Sequence, residues 1–549
     1  MPNGDASETT PLLRASSTEH LREHGGSKPP SANPSQQDDE TTVIAEELPF
    51  SKLMLVLSTS FFGVFLAALD SSSIATLSAP IASEFRSLSL LSWLATAYLI
   101  ANAACQPITG RLTDIFGRRA GIVASSLLFA LGSLLCGLAP NAGTIVLGRA
   151  VVGVGGGGLI CIPMFLTSDL TPLRRRGVLQ GIGNLWYSAG AMLGGVFGGL
   201  LHDRTRMGWR LAFLMQVPPA LLLIPAVWVL VKVPPKQSDK SYLARVDYPG
   251  AFFTCSFLVL LLLGLNTGGT LVPWSHPLPL TTLPLSVVCF VGFIWWESKA
   301  TQPIIPVRLF RNRTILSNCF GSLFISMVLL IATYYAPLYL QVRGDSAAAA
   351  GVKLLWLPLG GSIASLATGY AMAWTGKYVR LGIFGSLILI AGTILFALQS
   401  EVTSSYLTCV ALVLVGGGFS VVSTTVAVAS IAAADHSQQA VITSAIFLAR
   451  SVGAMLGITS VSAAYQNILK SRLLDRFGDE QQALEEIGRI LDSLEEINHL
   501  PEGWKDGVMV SFMEAFDAVW YTTIGAAVLA LACICLVQQH ELHSRLDRR

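Results

Sequence analysis

Fourteen apolar runs, centred near residues 65, 98, 130, 155, 190, 220, 257, 287, 327, 362, 390, 418, 453 and 524, fill most of the chain. Each is roughly twenty residues long, enough for a helix to cross about 30 Å of hydrocarbon. Lipid offers no water to exposed peptide groups, so such runs must satisfy their own backbone hydrogen bonds, as helices do. The pattern predicts an all-α membrane protein. Of the 549 residues 52% are apolar and 13% charged, about half the charge supply of a soluble domain. That argues against a soluble enzyme and against a nucleic-acid partner.

The formal charge of +2 hides a partition: residues 1–50 sum to −6, residues 466–507 to −5, and the remainder to +13. Residues 1–50, rich in Ser, Pro, Gln and acids, read as a disordered cytosolic tail rather than a cleavable signal peptide. Loops following even-numbered runs hold 16 Lys/Arg, among them Arg111, Arg118, Arg119, Arg174, Arg175 and Arg176, against 6 in the opposite loops. The positive-inside rule then puts the first set and both termini in the cytosol. Segment 466–507 falls on the far side, where Leu484, Ile487, Leu491, Leu494 and Ile497 recur at helical spacing. They predict an amphipathic helix lying on the membrane or on the protein. The nine cysteines are scattered through apolar runs with no C-x-x-C pair, and read as small buried hydrophobes rather than disulfides or metal ligands. The sequon at Asn312 lies in a predicted cytosolic loop, so no glycosylation is expected there.

The chain repeats itself. Ser188-Ala-Gly-Ala-Met-Leu-Gly194 returns as Ser451-Val-Gly-Ala-Met-Leu-Gly457, an offset of 263 that also carries Gly153 onto Gly416 and Gly155 onto Gly418. Gly110 and Gly117 are echoed by Gly369 and Gly376. Runs two to five therefore correspond to runs ten to thirteen. The predicted architecture is two parallel six-helix bundles with runs seven and eight inserted between them, which suits a transporter that rocks around a mid-membrane site.

Gly110-Arg-Leu-Thr-Asp114-Ile-Phe-Gly117-Arg118-Arg119 joins runs two and three. Its glycines permit a tight turn, and Asp114 can pair with a nearby arginine or a helix N-terminus, making a charge latch that breaks as the bundles move. In the second copy Ala373 replaces the acid, so a latch is expected in the first half alone. Run five carries Gly190, Gly194, Gly195, Gly198 and Gly199, small residues that let helices approach closely. Gly153 to Gly158 formally match G-x-G-x-x-G, but inside an apolar run with no preceding strand. No phosphate-binding G-x-x-x-x-G-K-[ST] is present.

Asp70 is the one carboxylate deep in a run, where a charge must face a cavity, pair, or take a proton. It is the candidate for proton coupling or for a substrate counter-ion. Arg149 in run four is the matching buried cation. Arg450, near the start of run thirteen, can snorkel to the cytosolic surface, and Glu514 and Asp517 are expected to be wetted on the far side. Asn184, Trp186, Tyr187, Tyr334 and Tyr335 are candidates to line a cavity. In the tail, Glu8-Thr-Thr-Pro-Leu12-Leu13 fits the acidic dileucine pattern read by vacuolar or lysosomal sorting adaptors.

The loop 110–119, Asp70 through Pro80, Arg149 and the run-five glycines together resemble the fourteen-helix drug:proton antiporters of the major facilitator superfamily. Gly195 stands where that group usually has proline. The stretches Phe65 to Asp70, Ala75 to Pro80 and Ser92 to Tyr98 look like fungal vacuolar basic amino acid transporters, and Ala75 replaces the asparagine usual in drug exporters. The resemblance implies a major facilitator fold with six-helix bundles at 51–233 and 299–537, inserted helices in 234–298 and a cytosolic end at 538–549. It implies proton-driven movement of a small cationic or amphiphilic substrate, with no cofactor beyond the proton gradient. The expected activity is export of basic amino acids from cytosol into the vacuole, with a plasma-membrane drug:proton exporter as the alternative.

Overall fold

The computed structural model describes residues 49–86, 89–233, 246–268, 272–300, 307–345, 347–399, 404–433, 438–478, 481–492 and 503–541. The dileucine pattern at Glu8, Leu12 and Leu13 lies outside these residues, as do Leu494 and Ile497. The described chain is helical. A first group comprises α1 (Phe50–Glu84), α2 (Ser89–Phe116), α3 (Arg118–Gly137), α4 (Ala142–Leu170), α5 (Leu173–Arg204), α6 (Trp209–Leu214) and α7 (Val217–Leu230). Next come α8 (Tyr248–Thr267) and α9 (Pro277–Glu297). The last group is α10 (Arg313–Val342), α11 (Ala347–Leu354), α12 (Trp356–Thr375), α13 (Val379–Ala397), α14 (Ser405–Ala432), α15 (Gln439–Phe477), α16 (Gln481–Asp492) and α17 (Lys505–Cys535). One apolar core joins residues from Leu53 to Val231 with Ala440, and a second joins residues from Phe293 to Val537.

Among the described residues 12 helices are long and apolar enough to cross a membrane, with α6–α7 and α11–α12 each making one span. The two apolar runs absent from that set are α2 and α5, of 28 and 32 residues. Both are seam helices: α2 packs against α15, and α5 against α12. Helices that meet protein rather than lipid tolerate polar residues, and α2 buries Thr96, Asn102, Gln106, Thr109 and Thr113. α8 lies outside the α2–α15 seam, where Leu262 meets Ile100, Ala103 and Met455.

The internal repeat holds in three dimensions. Gly153 of α4 lies on the backbone of Tyr98 in α2, and its counterpart Gly416 of α14 lies on Leu357 in α12. Gly155 lies on Phe129, as Gly418 does on Leu389. Gly190 and Gly194 lie on Phe65 and Leu69 of α1, as Gly453 and Gly457 do on Leu323 and Met327 of α10. At each of these sites a Cβ would strike the facing helix, so glycine is what allows the approach. The contacts also fix the register of equivalence: 263 for α4 and α5, 259 for Tyr98 and Leu357, and 258 for α1 and α10. The seams obey it too. Gly110 approaches Ala440, and their counterparts Gly369 and Gly177 approach each other.

The acidic segment differs from expectation at its start: 466–507 is not loop throughout, because α15 runs unbroken to Phe477. Within α16, Ile487 and Ile490 are buried in the second core, so of the two expected sites for the amphipathic helix the described turns occupy the protein. Asn312 of the sequon serves as the N-cap of α10, its side-chain oxygen accepting from the Thr314 amide. This satisfies one of the orphan donors of the first turn.

Candidate functional site

α1 is fastened to α5 around Asp70. Ser73 Oγ donates to the Gly194 carbonyl at 3.0 Å and Thr76 Oγ1 to the Gly195 carbonyl at 3.2 Å. Beside these bonds, Arg149 of α4 donates to Asp70 Oδ2 at 2.6 Å, with the two side chains 1% and 0% exposed. Arg149 Nε donates to the Leu94 carbonyl of α2 at 3.0 Å, and its guanidinium lies 4.7 Å from the centre of the Tyr98 ring. Asp70 Oδ1 has no hydrogen-bond partner among the described residues. The sequence-matched pair is thus a real contact, and Leu94 and Tyr98, legible only as part of the stretch Ser92 to Tyr98, are its neighbours on α2.

From Tyr98 a polar ladder follows α2 at one-turn intervals. Asn102 donates to the Tyr98 hydroxyl at 3.5 Å, Gln106 donates to Asn102 Oδ1 at 2.6 Å, and Ser451 of α15 donates to Gln106 Oε1 at 3.4 Å. The ladder links the buried pair to the seam between the helix groups. The second-half equivalents of the pair and of Tyr98 are apolar: the register puts Val328 opposite Asp70, Leu412 opposite Arg149 and Leu357 opposite Tyr98, all three buried. The same fold position is therefore built without charge in the other copy.

At the arginine-rich end Asp114, the acid of the loop 110–119, is paired within the first group. Arg118 contacts Asp114 at 2.6 Å and Asp169 of α4 at 2.7 Å, and donates to Thr113 Oγ1 at 2.6 Å. Asp169 was not among the sequence candidates, since an acid at a helix end carries no motif of its own. Gly117 has φ +92°, a conformation glycine adopts without strain. Arg119 leaves the cluster; it donates to the Val231 carbonyl at 2.6 Å and lies over Trp228, fastening α3 to the end of α7.

Other basic residues bridge the seams. Gln439 Oε1 accepts from Ser168 at 2.9 Å and from Arg176 at 3.0 Å. Arg174 donates to the Ala373 and Trp374 carbonyls at 2.7 and 3.2 Å, a cation at the negative end of α12. Asn184 donates to Ser365 Oγ at 2.7 Å. These bonds, like Gly110 on Ala440 and Gly177 on Gly369, join the two groups from mid-height to the arginine-rich end.

The five run-five glycines separate by face. Gly190, Gly194 and Gly198 meet α1, whereas Gly195 has only ordinary contact and Gly199 faces open space. The cavity candidates separate as well. Trp186 packs edge-on against Phe62 and Phe65, and Tyr335 is buried against Tyr465. Tyr187 and Tyr334 are exposed. Arg450 does not snorkel: it is the twelfth residue of α15, about 16 Å from the helix start. It lies over Phe419 and Phe447 at 5.2 and 5.6 Å. Glu514 on the far side is paired with Arg472 at 3.0 Å and Arg476 at 2.7 Å.

Residues 60–458 match the Major Facilitator Superfamily. The chain is 34% identical over 513 residues to the multidrug resistance protein fnx1 of Schizosaccharomyces pombe, covering 92% of this chain and 96% of that protein. It is 30% identical over 527 residues to the vacuolar membrane amino acid uptake transporter fnx2 of the same organism, covering 93% and 88%. The efflux pump dotC of Dothistroma septosporum is 31% identical over 504 residues, covering 90% and 86%. Among solved structures, the proton:xylose symporter XylE superposes with TM-score 0.57 at 15% identity, covering 85% of this chain and 99% of that one. A bacterial homologue of the lysosomal transporter Spinster superposes with TM-score 0.56 at 17% identity, covering 91% and 99%. The chain is an all-helical membrane transporter, not an enzyme, and it belongs to the Major Facilitator Superfamily.

Proposed function

We propose that this transporter is a proton-coupled antiporter that moves basic amino acids from the cytosol into an acidic, vacuole-like compartment. The observation that carries the coupling is the buried Asp70–Arg149 bond, present in one half while Val328 and Leu412 fill the equivalent places in the other. A charge pair that packing does not require is the place to look for a proton site. Protonating Asp70 removes the charge that holds Arg149 and leaves the guanidinium to Leu94 and Tyr98 of α2. A proton that binds one conformational state better than the other drives the equilibrium toward it.

The same reading takes α2 and α5 as spans, giving fourteen, with bundles at 51–233 and 299–537, the inserted pair in 234–298 and both termini cytosolic. Their length and their place at the seams support this. With the arginine-rich end cytosolic, the seam bonds put the molecule in a state closed toward the cytosol. The relative fnx2, a vacuolar amino acid uptake transporter by name, supports the substrate and the membrane, and Glu8, Leu12 and Leu13 would be the address a sorting adaptor reads. Export of drugs is the second reading, favoured by the names of fnx1 and dotC. ATP-dependent uptake of lysine, arginine or histidine by vacuolar vesicles, abolished by an uncoupler, is expected. Equal uptake by vesicles lacking the protein would sink the amino acid reading.

A further inference from the structure

Arg450 is a charge the coupling pair does not use. It lies twelve residues into α15, at membrane depth, and makes no ion pair or hydrogen bond among the described residues. Its guanidinium is flanked by the faces of Phe419 and Phe447. The repeat explains where that is. An offset of 263 carries Tyr187 onto Arg450, so the two are equivalent positions of the two halves. Tyr187 lies one turn from Asn184, which reaches Ser365 across the α5–α12 seam, and Arg450 directly precedes Ser451, which reaches Gln106 across the α15–α2 seam, so both positions lie where the two groups meet, the mid-membrane place where transporters built from parallel repeats hold substrate. Tyr187 is also 45% exposed although it lies between the groups, as expected of a residue that borders a cavity.

An arginine in a membrane interior without a counter-charge is costly and marks a ligand pathway. Its planar fork matches a carboxylate through two parallel hydrogen bonds. The aromatic faces on either side hold the guanidinium by cation–π attraction. We propose that Arg450, with its repeat equivalent Tyr187, is the substrate site and that it recognises a carboxylate. The inference rests on the transporter reading above and sharpens it: an amino acid is held by its α-carboxylate, whereas a carboxyl-free cationic drug lacks the group this site binds. Asp70 is spent on Arg149 and does not serve as substrate counter-ion in this state.

The test uses full-length protein in liposomes with an acidic interior and pairs of probes that differ at the carboxylate: arginine and agmatine, histidine and histamine, and rhodamine 110 with its methyl ester. The acid of each transported pair is expected to enter with about ten- to hundredfold higher kcat/KM, the discrimination lost when a site's charged partner goes unused. Arg450→Gln is expected to lower the acid to the level of its partner, and Arg450→Lys to retain part of the preference. Equal handling of acid and partner by the unaltered protein overturns the proposal, independently of whether either variant folds. So does a preference that survives Arg450→Gln. If arginine and agmatine enter equally well, the carboxylate site falls while uptake of basic substrates stands. If the rhodamine acid is preferred but neither amino acid enters, the site stands and the amino acid reading falls.

Discussion

Replacing Asp70 by asparagine separates stability from function in a way the repeat makes quantitative. At 2.6 Å the gross attraction of the pair is about 6 kcal/mol at an effective dielectric of about 20. Removing each ion from water costs several kcal/mol, so the net worth of a buried pair lies near zero. Stability is therefore not what the pair supplies. Breaking it is another matter: Asp70→Asn leaves Arg149, 1% exposed, without a counter-charge, and the expected loss is about 3–5 kcal/mol. The second half supplies the repair, because Val328 and Leu412 occupy the equivalent sites at 0% exposure. The double variant Asp70→Val/Arg149→Leu should recover most of the loss, as exchanging a buried pair for apolar side chains is often neutral or stabilising by about 1–4 kcal/mol. Both proteins should lose proton-driven uptake. Denaturant unfolding of the purified protein in detergent measures the first quantity and liposome uptake the second. A double variant no more stable than Asp70→Asn would refute the claim that the fold does not need the pair. A double variant that still concentrates substrate against a proton gradient would remove the pair from the coupling.

The glycine contacts predict that Gly194→Ala, which pushes a Cβ onto the Leu69 carbonyl, costs about 1–3 kcal/mol as overpacking does. Gly199→Ala meets nothing and should gain up to about 1 kcal/mol of helix propensity; thermal unfolding of both would show whether the motif acts through α1. Gln439→Ala removes the acceptor shared by Ser168 and Arg176 across the seam, and should open the arginine-rich end. Faster maleimide labelling of Ser444→Cys, in a background freed of native cysteines, reads this, and an unchanged rate would show the bridge is incidental. At the far end of α1, burial raises the Glu84 carboxyl pKa but hydrogen bonds from Arg210 and Trp209 outweigh it and hold it below its ordinary value. A carboxylate with a depressed folded pKa stabilises fully above its unfolded pKa and loses that contribution as pH falls through the folded one. Glu84→Gln should therefore narrow the stability difference between pH 7 and pH 3 slightly, as fits an exposed pair.

What could be read from the sequence follows how local the physics is. The apolar runs gave the helices because crossing lipid is a requirement on each segment alone, and the offset of 263 gave the repeat because glycines mark backbone approach. Asp70 and Arg149 were legible as charges out of place and as an anion with a matching cation, though not as a direct 2.6 Å contact, since 79 residues separate them. Asp169 went unseen because an acid at a helix end is ordinary until the neighbouring helix is placed, and Tyr98 was legible only as part of the stretch Ser92 to Tyr98, not as the neighbour of Arg149. Arg450 was misjudged for a related reason. Its depth depends on α15 starting at Gln439, and no hydropathy window fixes where a helix begins.

The position of the pair gives the coupling a mechanical route. The Asp70 end is tied to α5 through Ser73 and Thr76, and α5 forms the seam with α12. The Arg149 end is tied to α2 through Leu94 and Tyr98, and α2 forms the other seam, with Gln106 bonded to Ser451. One bond of 2.6 Å thus lies between the helices that carry both seams. In the proposed coupling the closed bond makes α1–α5 and α4–α2 move together, and a neutral Asp70 loosens that link, leaving the packing of α1 on α4 and α2 and the Tyr98 hydroxyl on the Ala67 carbonyl. A rigid group of this kind predicts energetic coupling between distant members. In a double-mutant cycle of Asp70→Asn with Gln106→Ala, residues without direct contact should show an interaction energy above about 0.5 kcal/mol, the limit within which independent sites add. The same cycle with Gln399→Ala, in the second half and bonded to Thr408, should be additive. Additivity in both cycles would leave the ladder as packing alone and confine the coupling to the pair itself.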